Sequence, residues 1–342
     1  MHETILQTQG HTSRILVGRN EGDLAAMLPT QRAVIVTDDN VYRLYGQSFP
    51  GLPILRMRPG EDNKTLDTLA QLARRLMELS ADRSWFLLGI GGGIVCDVAG
   101  FLASIYMRGL RFGFVPTTLL AQVDASAGGK NGVNLDGYKN MLGVFNQPEF
   151  VLCDPGYVST QEEEDFRCGL AEIIKHAAIA DLDLFSFLEV DQQAVLARKP
   201  WAVERLVLDS VRIKANVVGQ DEKEAGLRRI LNFGHTIGHA LEKVSGISHG
   251  HAVSQGMAVA AKISVRRGLL SQADSDRLID LLTAYNLPTR LQAYPDSLTQ
   301  ALARDKKREG DQLHFVLLQG LGQATVQTLP LSEVEEALQD MQ

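Results

Sequence analysis

The sequence predicts an α/β fold, a Rossmann-like N-terminal domain followed by a mainly α-helical second domain, and three observations predict it. Short apolar runs alternate with amphipathic segments up to about residue 155. A glycine-rich turn joins one of those runs to a helix. After about residue 160 long amphipathic segments dominate and strand signals nearly vanish until residue 313.

The runs AVIVT (33–37), LPILRM (52–57), WFLLGI (85–90), FGFVP (112–116) and EFVLCD (149–154) are punctuated by Gly, Pro and Asp, as buried strands are. Helical patterns lie between them, notably Lys64–Leu79 and Cys96–Met107. Strand and helix in alternation imply a parallel sheet. The segments 161–178, 200–219, 228–245, 251–267 and 272–285 read as helices, and LHFVLLQ (313–319) as a late strand. The Asp-Pro-Gly turn near 155–160 sets the expected division, 1–158 and 159–342.

Composition narrows the function. With 342 residues the chain has room for two cores. A net charge of −7 argues against a nucleic-acid footprint, which needs a basic face. Three widely spaced cysteines, Cys96, Cys153 and Cys168, form neither a disulfide framework nor a thiolate zinc site. MHETILQTQGHTSR has no basic start leading into an apolar run, so no signal peptide is expected. Trp85–Met107 carries one charge, Asp97, near its middle. An Asp at a bilayer centre costs roughly 2.5–3.5 kcal/mol, so a buried strand, turn and helix explain this stretch better than a membrane span.

GIGGGIVCD (89–97) follows a strand and opens a helix, a dinucleotide-type turn without the usual GxGxxG spacing. Tight strand–helix packing is the competing explanation. Asp97 would repel a pyrophosphate, so it should point elsewhere or hold a ribose or nicotinamide group. Asp38 and Asn40 end a strand where an acidic residue can hold a ribose hydroxyl. PGEDNK (59–64) is a turn whose carboxylate could equally cap a helix. Arg108, Lys130 and Lys139-Asn140 place cations in Gly-rich, otherwise uncharged loops, a pattern suited to anion capture, with Asp124 just upstream as partner or base.

The sharpest signal is NFGHTIGHA. His235 and His239 stand at i, i+4, and if the segment is helical Asn232 and Arg228 share their face. No Glu follows the first His as in HExxH, which excludes a zinc-protease reading. His249 and His251 follow. Glu172 and Lys175 are at i, i+3 in GLAEIIKHA, and Glu172 has apolar neighbours. A buried carboxylate needs a partner. One carboxylate with two histidines and an open position is a catalytic zinc set. Spacing alone leaves both His235 and His239 open as ligands.

Taken in order, GGGIVCDVAGF, YMRG, VPTTLLAQVDASAGGKNGVN, KNMLG, GLAEIIKH, DEKEAGLRRILNFGHTIGHALE and HGHAVSQGM resemble the 3-dehydroquinate synthase family of sugar phosphate cyclases over roughly residues 33–270. The resemblance implies NAD on the N-terminal domain and a divalent metal, zinc or cobalt, held by Glu172, His235 and His249. It carries the NAD contacts to Asp38, Asn40, Pro59, Gly60, Glu61, Asp62, Asn63, Lys64, Gly93, Ile94, Val95, Cys96, Asp97, Thr117, Thr118, Lys130, Lys139, Tyr157, Val158, Ser159 and Thr160. It carries the substrate contacts to Arg108, Asp124, Lys130, Lys139, Asn140, Lys175, Lys214, Arg228, Asn232, His239 and one of Lys306 or Lys307. Within that set, Lys214 and Arg228 would hold a carboxylate, and Arg108, Asn140, Asn232, His239 and the terminal Lys a phosphate.

The implied reaction turns 3-deoxy-D-arabino-heptulosonate 7-phosphate into 3-dehydroquinate and phosphate, a step toward chorismate and the aromatic amino acids. NAD takes a hydride from C5, phosphate is eliminated, the hydride returns, and an intramolecular aldol step closes the ring. A cytoplasmic homodimer that acts on a small anionic sugar phosphate, with no nucleic-acid or membrane partner, is expected. Three positions depart from the family pattern: Asn131 stands for a common Thr, His251 for a Glu, and Gln161 with three Glu for a Leu-Pro pair. None is a carried-over ligand, although His251 is a second candidate beside His249. The alternatives are a cyclase for sedoheptulose 7-phosphate or glucose 6-phosphate, a metal-dependent polyol dehydrogenase, and a non-catalytic NAD-binding regulator. The sister substrates lack the carboxylate that Lys214 and Arg228 would bind, and net oxidation of a polyol needs no phosphate grip, so the basic cluster argues against it.

Overall fold

The computed structural model describes residues 1–19, 24–291, 295–303, 308–309 and 312–340. It is a mixed α/β protein with a parallel sheet and many helices, and it divides into two compact units: residues 1–161 with 214–223, and residues 162–213 with 224–342.

The first unit is built in the order β1 (His2–Gln7), β2 (Thr12–Val17), β3 (Ala33–Asp38), α1 (Asp39–Tyr45), β4 (Ile54–Met57), α2 (Leu66–Glu78), β5 (Phe86–Gly91), α3 (Gly93–Ile105), β6 (Arg111–Pro116), β7 (Lys130–Leu135), β8 (Tyr138–Phe145) and β9 (Phe150–Cys153). Seven strands form one sheet in the order β1-β2-β9-β6-β5-β3-β4. It is parallel throughout, apart from the β1–β2 pair. Every residue of β5 is buried, as a central parallel strand covered on both faces requires. From β3 the chain crosses to β4 on one side, and from β5 to β6 on the other. The carboxyl ends of β3 and β5 therefore flank the switch point, the place where open α/β sheets bind ligands. Trp85–Met107 is strand, turn and helix here. Among the described residues no helix is long and apolar enough to cross a membrane.

Two expectations for this unit are corrected. The Gly-rich stretches around Lys130 and Lys139 are not loops but the paired strands β7 and β8. Gly132 and Gly143 face each other there, and a Cβ on either would meet carbonyl oxygen of the opposite strand at 2.5 Å. The glycines allow close strand pairing rather than mobility. The helix expected from Cys96 begins three residues earlier, at Gly93, and this puts Asp97 in its second turn.

The second unit contains α4 (Glu163–Ala180), α5 (Leu182–Val190), α6 (Gln192–Leu196), most of α7 (Pro200–Gln220, whose residues from Lys214 group with the first unit), α8 (His235–Ser245), α9 (His249–Arg266), α10 (Gln272–Ala284), α11 (Pro295–Ala303), the strands β10 (Arg308–Glu309), β11 (Gln312–Gly320) and β12 (Gln323–Pro330), and α12 (Leu331–Gln339). The late strand is thus the middle of a three-stranded antiparallel sheet. Helices α4 and α9 are buried along most of their length. They cross closely because Gly250 lies against Cys168, where a Cβ would come within 2.4 Å of the Cys168 Cα.

The expected helix 228–245 does not exist as one piece. Leu227–Asn232 is a 3-10 turn, and α8 starts afresh at His235 after Gly234 at φ 79°. That left-handed conformation suits glycine. A side chain there would also press on the Val253 carbonyl at 2.7 Å. Arg228 and Asn232 consequently do not share a helical face with His235 and His239.

Candidate functional site

In the first unit the turn after β5 is tightly packed. A Cβ on Gly91 would meet the Val95 side chain at 2.6 Å, and one on Gly93 would meet Ala125 Cβ at 3.1 Å. Packing therefore accounts for part of the glycine requirement. What the turn also provides is the start of α3, whose first-turn residues Gly93, Ile94 and Val95 lack intrahelical acceptors for their N–H groups. Cys96 N already donates to Gly92 O.

Asp97 Oδ2 accepts from Lys64 Nζ at 2.5 Å, and the same ammonium donates to Asn140 Oδ1 at 2.5 Å. Burial raises the Asp97 carboxyl to about 6, against the pull of the Lys64 charge. Lys64 is itself buried, so a residue from a turn, one from a helix and one from a hairpin strand meet at one ammonium. Asn140 sits at φ 51° and its N–H donates to Asn134 Oδ1 at 2.8 Å. Asn134 Nδ2 in turn donates to Glu61 Oε1 at 2.9 Å. Asn63 Nδ2 donates to Pro59 O at 2.8 Å across Gly60, which has φ 101°, and Asp62 is exposed. Thr65, not Glu61, caps α2.

Asp38 caps α1, accepting from Val41 N at 2.8 Å, and burial raises its carboxyl. Asn40 is exposed in the first turn of α1. Thr117 N donates to Gly91 O, so Thr117 and Thr118 lie beside the glycine turn. Tyr157 to Thr160 form a 3-10 turn in which Val158 is buried and Ser159 Oγ donates to Gly156 O. The Tyr45 hydroxyl is hydrogen-bonded to Thr160 Oγ1. Lys130 opens β7 and Lys139 lies in β8, both exposed. Lys214 Nζ donates to Asp124 Oδ1 at 2.6 Å and is buried. Arg108 is not brought to this group. It is exposed in a turn past the far end of α3, about 20 Å along a 13-residue helix from Gly93.

In the second unit three elements converge. Glu172 of α4, fully buried, places Oε1 at 3.5 Å from Nε2 of His235, the first residue of α8, and at 3.1 Å from Nε2 of His249, the first residue of α9. Its other oxygen accepts from Lys175 Nζ. Both imidazoles turn Nε2 inward: His235 Nδ1 lies 3.2 Å from Phe233 O, and His249 Nδ1 lies 2.8 Å from Glu242 Oε1. The three candidate ligand atoms all fall within 4.8 Å of one another.

The donor set fits a divalent metal. A tetrahedral ion with bonds of about 2.0–2.1 Å holds its ligands roughly 3.3 Å apart, and the two glutamate–histidine separations bracket that distance. Burial pushes the Glu172 carboxyl up, but the Lys175 ammonium and the His249 contact outweigh it and hold it well below the usual range, so it is ionised. Burial, reinforced by Lys175, holds His235 well below the usual imidazole range and so neutral. Burial also works against charge on His249, but its bonds to Glu172 and Glu242 raise it to about 10.

Of the alternatives that spacing left open, His235 joins this group. His239 is exposed one turn along α8, its ring 5.3 Å from that of His235. His251, two residues beyond His249 on α9, is not in the group. Arg228 is buried on the 3-10 turn, and Asn232 Nδ2 donates to Glu224 Oε1. Lys306 and Lys307 lie outside the described residues. Glu224, Glu242 and Asn134 were missed. Glu242 had a signal, standing seven residues after His235 and three after His239 and so on their helical face. Glu224 and Asn134 make contacts that no periodicity encodes.

Residues 54–168 match the family described as 3-dehydroquinate synthase N-terminal, and residues 169–308 match 3-dehydroquinate synthase C-terminal. The 3-dehydroquinate synthase of Halorhodospira halophila is 44% identical over 315 residues, 90% of this chain and 89% of the relative. Among solved structures, 2-deoxy-scyllo-inosose synthase complexed with carbaglucose-6-phosphate, NAD+ and Co2+ superimposes with TM-score 0.90 at 27% identity, covering all of both chains. The 2-epi-5-epi-valiolone synthase of Streptomyces hygroscopicus, with NAD+ and Zn2+ bound, gives 0.87 at 27%, covering 100% of this chain and 99% of that one.

Proposed function

This chain belongs to the 3-dehydroquinate synthase family, and from that premise we propose that it converts 3-deoxy-D-arabino-heptulosonate 7-phosphate to 3-dehydroquinate and inorganic phosphate. It is then a carbon–oxygen lyase that uses NAD and a divalent metal. The observation that carries this reading is the convergence of Glu172, His235 and His249 on one buried point, with Lys175 beside them.

When bound, NAD accepts a hydride and gives it back, and the metal acts as a Lewis acid toward the substrate's hydroxyl oxygens. The chain's own residues supply the rest. Glu172 and the two Nε2 atoms would hold the ion. Lys175, fixed on Glu172 Oε2, keeps that carboxylate ionised and sets a proton donor next to the ion. The buried guanidinium of Arg228 presents the planar fork that matches a carboxylate. Asn232 and His239 carry the phosphate-facing role in this reading. In the first unit the open N–H groups at the start of α3 suit a pyrophosphate, and Lys64 fixes Asp97 and Asn140. Lys130 and Lys139 take cofactor and substrate contacts, and Lys214 is held ready by Asp124.

The homodimer belongs to the same reading. A cytoplasmic location fits three cysteines that are all free and buried.

The test is selectivity. The seven-carbon keto-acid phosphate should exceed glucose 6-phosphate and sedoheptulose 7-phosphate in kcat/KM by at least about 100-fold, the order expected when a charge-assisted carboxylate grip goes unused. Arg228→Met should erase most of that preference. Equal or better turnover of a carboxylate-free sugar phosphate would move the chain to a sister activity.

A further inference from the structure

We propose that Glu242 is a positioning residue for His249: its carboxylate accepts the Nδ1–H, locks the ring's rotation and tautomer, and so presents Nε2 to the metal. The proposal rests on reading Glu172, His235 and His249 as the metal ligands.

The two histidine ligands are oriented differently. His235 has its Nδ1 on the backbone carbonyl of Phe233, in a chain segment fixed by the Gly234 turn. The orientation of His249 depends on a side chain, Glu242 Oε1 at 2.8 Å. The His249 side chain is 30% exposed, so packing restrains it less than His235, at 11%. Glu242 is only 8% exposed, and a carboxylate at that depth has to be engaged.

Helix stability does not explain Glu242. It lies in the last turn of α8, where the helix dipole disfavours a negative side chain. A carboxylate is also an acceptor and cannot satisfy the carbonyls left open at a helix C-terminus. What the position does achieve is geometric. Helix α8 carries a ligand at its first residue and, two turns later on the same face, the carboxylate. Gly246 at φ 64° then turns the chain so that His249 comes back against it. Carboxylate–imidazole–metal relays of this form typically set metal affinity within a factor of about 10–100.

The experiment titrates Co2+ into the metal-stripped full-length chain, following its visible d–d absorption, for wild type, Glu242→Ala, Glu242→Gln and Glu172→Gln. Glu242→Ala should bind Co2+ about 10–100-fold more weakly, with a changed band shape that reports altered ligation. Glu242→Gln, whose amide oxygen still accepts the Nδ1–H, should recover most of the affinity and the wild-type band. Wild-type affinity and spectrum in Glu242→Ala would overturn the proposal while leaving the metal assignment standing. So would equal weakening in the Ala and Gln variants, because orientation would then not be what Glu242 supplies. If wild type and Glu172→Gln bound Co2+ alike, the ligand assignment itself would fall, and the proposal with it.

Discussion

Glu172→Gln should leave the protein without bound metal and without turnover. The substitution is nearly isosteric, so packing in α4 survives, but it replaces the charged oxygen that lies 3.1 and 3.5 Å from two imidazole Nε2 atoms. It also removes the counter-charge of Lys175, whose side chain is 2% exposed. Stripping one partner from a buried charged pair costs about 3–5 kcal/mol of folding stability, so the variant should also melt earlier than wild type. Metal content after gel filtration and the rate of phosphate release check it together. A variant with full activity and no bound metal would contradict the assignment. So would one that keeps its metal at wild-type affinity.

The other large effect is expected at a glycine, where the obstacle is backbone packing. Gly256 in α9 packs against the turn that starts α8, and a Cβ there would lie 1.9 Å from Gly234 O and 2.8 Å from Gly234 C. No real contact is that short, and the obstacle is backbone rather than a flexible side-chain tip. Gly256→Ala therefore has to push α9 away from residues 233–235, and overpacking of this kind costs about 1–3 kcal/mol or more. The displacement reaches His235 directly, one residue beyond Gly234. Thermal unfolding of the metal-free protein should show the loss of stability, and Co2+ titration should show weakened binding in whatever fraction folds. Wild-type melting and wild-type Co2+ affinity would mean that the close approach of these helices is not needed to place His235.

Both predictions depend on features that the sequence displays unequally. The β5–α3 turn was legible because apolar run, glycines and helix follow one another along the chain. Glu172 was legible because a carboxylate among Leu170, Ala171, Ile173 and Ile174 demands a partner wherever it folds. The choice of His235 over His239 was not legible from spacing. It depends on the break at Gly234, which periodicity over 228–245 passes straight through, and on the return of His249 after Gly246. The β7–β8 hairpin was hidden for a related reason: Gly132 and Gly143 read as loop, yet their absent side chains are what let the strands pair. The strands β1, β2 and β12 gave only weak alternation, with many polar residues on a partly exposed face. Asp97 looked anomalous beside a phosphate-type turn, and its resolution, Lys64, lies 33 residues earlier in the chain. Contacts of that range leave no local pattern to read.

The most direct measurement of the central claim follows inorganic phosphate and NADH together while the purified chain, loaded with NAD and zinc, acts on 3-deoxy-D-arabino-heptulosonate 7-phosphate. The expected result is one phosphate and one 3-dehydroquinate per substrate consumed, with no net NADH, because the hydride taken from the substrate is returned to it. Accumulating NADH without phosphate would contradict it and identify a dehydrogenase, and binding with neither product would identify a protein that holds these ligands without turning them over.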